Sequence, residues 1–397
     1  MKTDREMLRT LAVFVAGFLN FFNLYVPQAF LQLLAKSLNT TPTLIGLSVT
    51  VTLLAVSTVA PIAGAISDRL GRKRIIVPAT FALTCTTLLV AQSSSLTELL
   101  VWRTVQGALL PFIFTVTVAY VADECSGPQA VKTSGIYSSG TILGGFSGRL
   151  FGGVMADYYG WHMAFLAIAA ITLLCALFVM WALPRERNFR PLTGGIGGTL
   201  RAYREHLRNP RLLATCGIGY GMLFSMVASF TFVNFRLAEP PFSLSPTKVG
   251  SIFAVYLLAM VSAPLSTRVA VRIGRIPALM LSIGCAIFGL LLTLSNSLPM
   301  VIAGLAFSTA GFLMIQALSL GFIGAIVPHA RSSAVGLYVT IYYIGGALGS
   351  FLPGPIWHNF GWIGVIVLLC VNLSVMAAVA QKFWRLPKPA PSWPSPS

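Results

Sequence analysis

Gly64-Ala65-Ile66-Ser67-Asp68-Arg69-Leu70-Gly71-Arg72-Lys73-Arg74 is the densest charge cluster in the first half of the chain. Apolar segments at 44–66 and 75–93 flank it, each long enough to cross a bilayer as a helix rising about 1.5 Å per residue. A soluble domain has little use for a charged hairpin between two such runs. The cluster therefore reads as a tight loop at a membrane surface. Gly71 supplies a turn of positive φ, and Arg69, Arg72, Lys73 and Arg74 hold the loop on one side.

The rest of the composition agrees. Of 397 residues, 56% are hydrophobic and 9% charged, where about a quarter are charged in an ordinary soluble domain. Twelve apolar segments can be read, at 10–33, 44–66, 75–93, 98–121, 133–156, 162–183, 211–235, 248–268, 276–296, 299–325, 333–354 and 361–383. The first follows Met1-Lys2-Thr3-Asp4-Arg5-Glu6 without a small-residue cleavage site and reads as a retained helix. The expected class is an all-α integral membrane protein with twelve transmembrane helices.

A net charge of +17 raises the question of nucleic acid, and the placement of the charges answers it. Alternate loops and both tails carry 22 of the 27 Lys and Arg residues. That is the positive-inside pattern, and it puts both termini in the cytoplasm. Nucleic-acid binding would need a basic face on a folded domain instead. Lys36, Arg236 and Lys248 fall outside the pattern, and Arg103 and Arg149 lie within spans. Six scattered cysteines without C-x-x-C, and four histidines that do not cluster, suggest no disulfide framework, metal site or cofactor. No HExxH, GxSxG, nucleotide loop or paired intramembrane carboxylate points to an enzyme.

The longest connection, 184–210, is basic and glycine-rich, and divides the chain into 1–183 and 211–383. Its Arg201–Arg208 part is expected to lie against anionic lipid headgroups. The Pro- and Ser-rich tail, 384–397, is expected to be disordered and cytoplasmic. The two halves repeat. Gly135-x-Tyr137 and Gly144-Gly145-x-x-Gly148 recur 201 residues later as Gly336-x-Tyr338 and Gly345-Gly346-x-x-Gly349, and Gly160-Trp161 recurs as Gly361-Trp362. A reduced copy of the charged loop, Arg272-Ile273-Gly274-Arg275, follows Arg69-Leu70-Gly71-Arg72 by 203. Two similar bundles with a shared cavity between them follow from the repeat alone.

The order G-x-x-S-D-R-x-G-R-K resembles the signature loop of the major facilitator superfamily, between its second and third helices. Arg103-Thr104-Val105-Gln106-Gly107 is similar to the second motif of that family, R-x-x-Q-G. The segment-five glycines, Gly140, Gly144, Gly145 and Gly148, resemble the motif of its antiporters, with Gly145 where that motif has proline. The resemblance covers the whole chain and is nearest to the twelve-helix drug:proton antiporter group. It implies two pseudo-symmetric six-helix bundles that rock around a central site. It also implies that Asp68 meets a helix N-terminus in the other half and the loop's own arginine, joined by Asp123 at the end of the fourth helix, with Gly64 allowing close approach. In that group the activity is proton-coupled efflux of a drug, sugar or metabolite. The alternative is a facilitator, or proton-coupled uptake of a small polar or anionic metabolite. A monomer in the bacterial inner membrane is expected.

Polar residues inside spans are the candidate contacts. Arg103 costs at least about 2.5 kcal/mol in a span and is expected to face a polar cavity or a partner, with Gln106 in the same motif, unless it snorkels. Arg149 is a second such cation, with pairing to carbonyls at a helix break as its structural reading. In this superfamily segments one, four, seven and ten line the cavity, so Asn20, Asn23, Gln28, Asn234 and Gln316 are candidate substrate contacts, with Tyr25, Tyr220, Tyr342 and Tyr343 nearby. All ten acids lie at span ends or in loops, so the cavity should be positive. That favours anionic or neutral polar substrates over lipophilic cations. Any proton site is then peripheral, at Asp123 or Asp157, or the substrate itself carries the proton.

Overall fold

The computed structural model describes residues 2–186, 206–327 and 331–385. Most of the basic linker and nearly all of the C-terminal tail expected above lie outside them. Every regular element among the described residues is helical. Besides the short helices Val26–Phe30 and Leu31–Ser37, the helices are α1 Lys2–Leu24, α2 Pro42–Leu70, α3 Lys73–Ala91, α4 Leu96–Glu124, α5 127–159, α6 161–182, α7 Pro210–Ala238, α8 246–273, α9 Arg275–Leu292, α10 Leu298–Ile326, α11 Arg331–Phe351 and α12 Gly354–Phe383. Ten of the described helices are long and apolar enough to cross a membrane, and two shorter ones bent by 48° make up α8. One of the ten, Gly127–Ala182, is a 56-residue run broken at Gly160, so the spans number twelve.

Local signals set the helix ends. Thr41 accepts a bond from the Leu44 amide with Pro42 at the first helical position, and Asn209 accepts from the Arg211 and Leu212 amides ahead of α7. Ser95 caps α4 while Glu98 reaches back to the Ser94 amide. At the other ends glycine is required. Gly71 and Gly274, 203 apart, adopt φ of 95° and 90°. Gly160 and Gly361, 201 apart, break their helices at φ of 83° and 59°. The tryptophan after each break anchors its span: Trp161 donates to Ser37 Oγ, and Trp362 to Thr293.

The same repeat governs packing. A Cβ on Gly140, Gly144 or Gly148 of α5 would fall within 3.0 Å of the carbonyl oxygens of Phe14, Phe18 and Phe22 on α1. On Gly345 and Gly349 of α11 it would do the same to Tyr220 and Phe224 of α7. Between lipid-embedded helices, where no hydrophobic drive favours contact, such backbone approach recovers dispersion energy that bulkier residues would block. Gly145 is placed differently. Its Cβ position faces the Arg149 guanidinium at 3.4 Å, an ordinary contact, and no helix backbone.

The starts of odd-numbered helices and the ends of even-numbered ones share one face with both termini: Arg9 donates to the Glu124 carbonyl, and Lys73 to that of Leu183. The halves meet at the opposite face. There Thr50 Oγ1 and Ser350 Oγ are 2.7 Å apart, joining α2 to α11. Gly153 of α5 abuts the Pro246 carbonyl of α8, and Gly250 of α8 abuts Arg149 O. The Thr247 amide donates to Asp157 Oδ2 at 3.3 Å. On the terminal side α5 and α8 no longer cover each other. Val131, Ser134, Gly135 and Ser138 are exposed, as is most of α8 beyond Leu258. On that side a cleft of about 820 Å³ lies within the first half, between α1 and α5, lined by Met7, Phe14, Lys132 and Ile136 among others.

Candidate functional site

Between the halves, just inside the closed face, lies Arg149. It is 2% exposed, and among the described residues no carboxylate touches it. Its Nε and Nη2 both donate to Gln28 Oε1, at 3.0 and 2.7 Å, and Nη1 donates to the Gly145 carbonyl at 2.7 Å. Three rings surround the guanidinium carbon: Tyr25 of the first half at 4.5 Å, and Phe253 and Tyr256 of the second half at 4.8 and 4.6 Å. Ring quadrupoles offset part of the cost of holding a cation away from water. Gln28 in turn ties the halves together. Its Nε2 donates to Thr231 Oγ1 of α7 at 3.4 Å, and its backbone oxygen accepts from Asn234. In the second half Gln316 donates to the Tyr342 hydroxyl at 3.1 Å, and Phe114 and Tyr343 pair across the halves with centroids 6.1 Å apart.

Arg103 has a different environment. Helix α1 stops at Leu24 because Pro27 has no N–H to offer Asn23 O, and the Gln28 amide turns to Tyr25 O. Arg103 supplies the missing donors, bonding Asn23 O at 3.2 Å and Leu24 O at 2.6 Å, with Ser48 O and Gln106 Oε1 as further acceptors. It is fully buried within the first half and neither snorkels nor reaches the space between the halves. Pairing with carbonyls at a helix break, the structural reading considered for Arg149, describes Arg103 instead. Gln106 and Asn23 extend this network through Thr87 and Thr172, so the Asn23 side chain is committed within its own half. Asn20 is fully buried with neither amide atom partnered.

In the signature loop, Arg72 bridges two acids, with Nη1 to Asp68 Oδ1 at 2.6 Å and Nε to Asp123 Oδ2 at 2.8 Å. Arg69 is exposed, and Gly64 meets only Thr115 at van der Waals distance. The partner of Asp68 seen here belongs to its own half, and residues 328–330 ahead of α11 lie outside the described residues. Glu186 was not anticipated. It accepts from the Arg72 and Lys73 amides at 2.9 and 3.3 Å, capping α3. In a chain with only ten acids, one in Pro184-Arg185-Glu186 was the available signal.

Two linked six-helix repeats with this loop are matched by known proteins. The sequence profile described as Major Facilitator Superfamily matches residues 13–238 and 237–397. The chain belongs to the major facilitator superfamily. Among its relatives in that superfamily, the inner membrane transport protein YnfM of Escherichia coli is 32% identical, over 96% of this chain and 92% of that one. An uncharacterized MFS-type transporter of Bacillus subtilis, YybF, is 31% identical over 92% and 91%. Of solved structures, the nucleoside transporter NupG superposes with a TM-score of 0.81 at 15% identity, covering 95% of this chain and 100% of that one. A bacterial homolog of the human lysosomal transporter Spinster, in an inward-facing and occupied conformation, gives 0.76 at 16% identity, covering 93% and 95%. These similarities make the protein a multi-pass membrane transporter with the superfamily's twelve-helix fold.

Proposed function

We infer that this superfamily member is a secondary active transporter that moves a small polar or anionic solute out of a bacterial cell, by rocking of 1–183 against 211–383. The observation that carries the reading is Arg149: a full positive charge between the halves, ringed by aromatics and, among the described residues, without a carboxylate beside it. An anion, or a neutral solute rich in hydrogen-bonding groups, complements such a site, and a lipophilic cation does not. With the positive-inside pattern, the terminal face is cytoplasmic, and the open side described above is then the loading side for export. A proton moves with the substrate or through a peripheral acid, Asp123 or Asp157. Facilitated passage or uptake of the same solutes is the competing reading, since among the described residues no carboxylate touches Arg149.

Counterflow in proteoliposomes tests this, with matched anionic, neutral and cationic compounds and an imposed pH gradient. Exchange of anionic or neutral polar compounds, accelerated by the gradient, is expected. Exchange confined to lipophilic cations would contradict the substrate class. Exchange indifferent to the gradient would leave a facilitator.

A further inference from the structure

We propose that Arg149 is the residue that selects a substrate carboxylate, and that Gln28 occupies the carboxylate's place until the substrate arrives. The proposal rests on the reading of the central site given above. The Nε and Nη2 edge of a guanidinium is the one that pairs side-on with both oxygens of a carboxylate. Here a single neutral oxygen, Gln28 Oε1, takes both bonds, at 3.0 and 2.7 Å. The other ways to Arg149 are taken. Nη1 is held by the Gly145 carbonyl, and Tyr25, Phe253 and Tyr256 lie over the guanidinium. Exchange of the amide oxygen for a carboxylate replaces a neutral acceptor by a charged, two-toothed one at a cation that has no counter-ion among the described residues.

The rest of the site limits the substrate's body. Tyr25 and Tyr256 lie over the Arg149 guanidinium, and the Tyr342 hydroxyl accepts from Gln316. A small monocarboxylate with a flat or hydroxylated body fits that lining. Its binding is linked to opening of the closed face. The Gln28 side chain also donates to Thr231 of the other half, so moving it away from Arg149 loosens that tie between the halves.

The test uses the purified full chain in detergent. Affinities are measured by calorimetry for benzoate, phenylacetate and gluconate, for the primary amide of each, and for benzylamine. At least one carboxylate is expected to bind 10-fold or more tightly than its amide. That preference should vanish in Arg149→Gln and shrink in Arg149→Lys. Gln28→Glu tethers a carboxylate to the same edge and should abolish carboxylate binding while raising the melting temperature, which keeps the proposal testable if Arg149→Gln misfolds. Equal affinity for acid and amide, a preference that survives Arg149→Gln, no carboxylate binding at all, or wild-type binding by Gln28→Glu would each overturn the proposal. Neutral solutes bound and exchanged independently of Arg149 would overturn it and leave the transport reading standing. Binding of benzylamine alone would overturn both.

Discussion

Replacing Arg103 with methionine separates a structural role from a transport role. The four acceptors of Arg103 are the carbonyls of Asn23, Leu24 and Ser48 and the Gln106 amide oxygen. Methionine fills much of the volume but donates nothing, so Asn23 O and Leu24 O lose the donors that the break at Pro27 denies them. A buried orphaned carbonyl costs about 1–3 kcal/mol, and two of them, set against the recovered cost of burying the cation, give a net loss of about 3 kcal/mol. For a unit the size of one half this corresponds to a fall in melting temperature of about 6–12 °C. Fluorescence-monitored melting of purified protein without ligand is the assay. Arg103→Lys should lose about half as much, since an ammonium reaches fewer carbonyls. Pro27→Ala restores an N–H opposite Asn23 O, so in that background the cost of Arg103→Met should shrink by about 1 kcal/mol. An Arg103→Met protein that melts with the wild type but no longer transports would refute the reasoning and return Arg103 to the cavity.

Two further expectations follow from the packing and the signature loop. Gly144→Ala presses a methyl group onto the Phe18 backbone and should destabilise by about 1–3 kcal/mol, whereas Gly145→Ala, with the Arg149 side chain at 3.4 Å and Phe21 Cβ at 4.0 Å, should melt close to wild type; equal effects at the two sites would contradict the assignment. Asp68→Asn removes one of the two acids that hold Arg72 and should depress transport in proteoliposomes strongly while leaving insertion and melting near normal; undiminished transport would remove Asp68 from the gating machinery.

Much of the architecture was legible because it is written in features that survive without tertiary context. Apolar length gives the spans, and a repeat offset of 201 fixes equivalent breaks at Gly160 and Gly361, since only glycine adopts their backbone angles without strain. The contact of Asp123 with the loop arginine was implied by the resemblance to the signature motif, which has an acid at the end of the fourth helix. The site between the halves was only half legible. Gln28 and Arg149 stand out as polar residues in apolar runs, but Phe253 and Tyr256 sit in a segment where aromatic residues look the same whether they meet lipid, a neighbouring helix or a guanidinium. Arg103 was legible only in part, for a related reason. The cost of a buried cation says that it needs partners, and the sequence does not say whether those are substrate atoms or the carbonyls freed by Pro27 four residues after Asn23.

The central claim is that the halves exchange closure between the two faces, and spin-label distances measure it without a known substrate. Val131→Cys with Val271→Cys reports the terminal face, and Tyr158→Cys with Phe360→Cys the opposite face, all four positions being well exposed. In liposomes each pair should give two distance populations. Conditions that enrich the short terminal-face distance should enrich the long opposite-face distance in the same proportion. A single unchanging population at both faces, or distances that lengthen together, would contradict rocking of one half against the other.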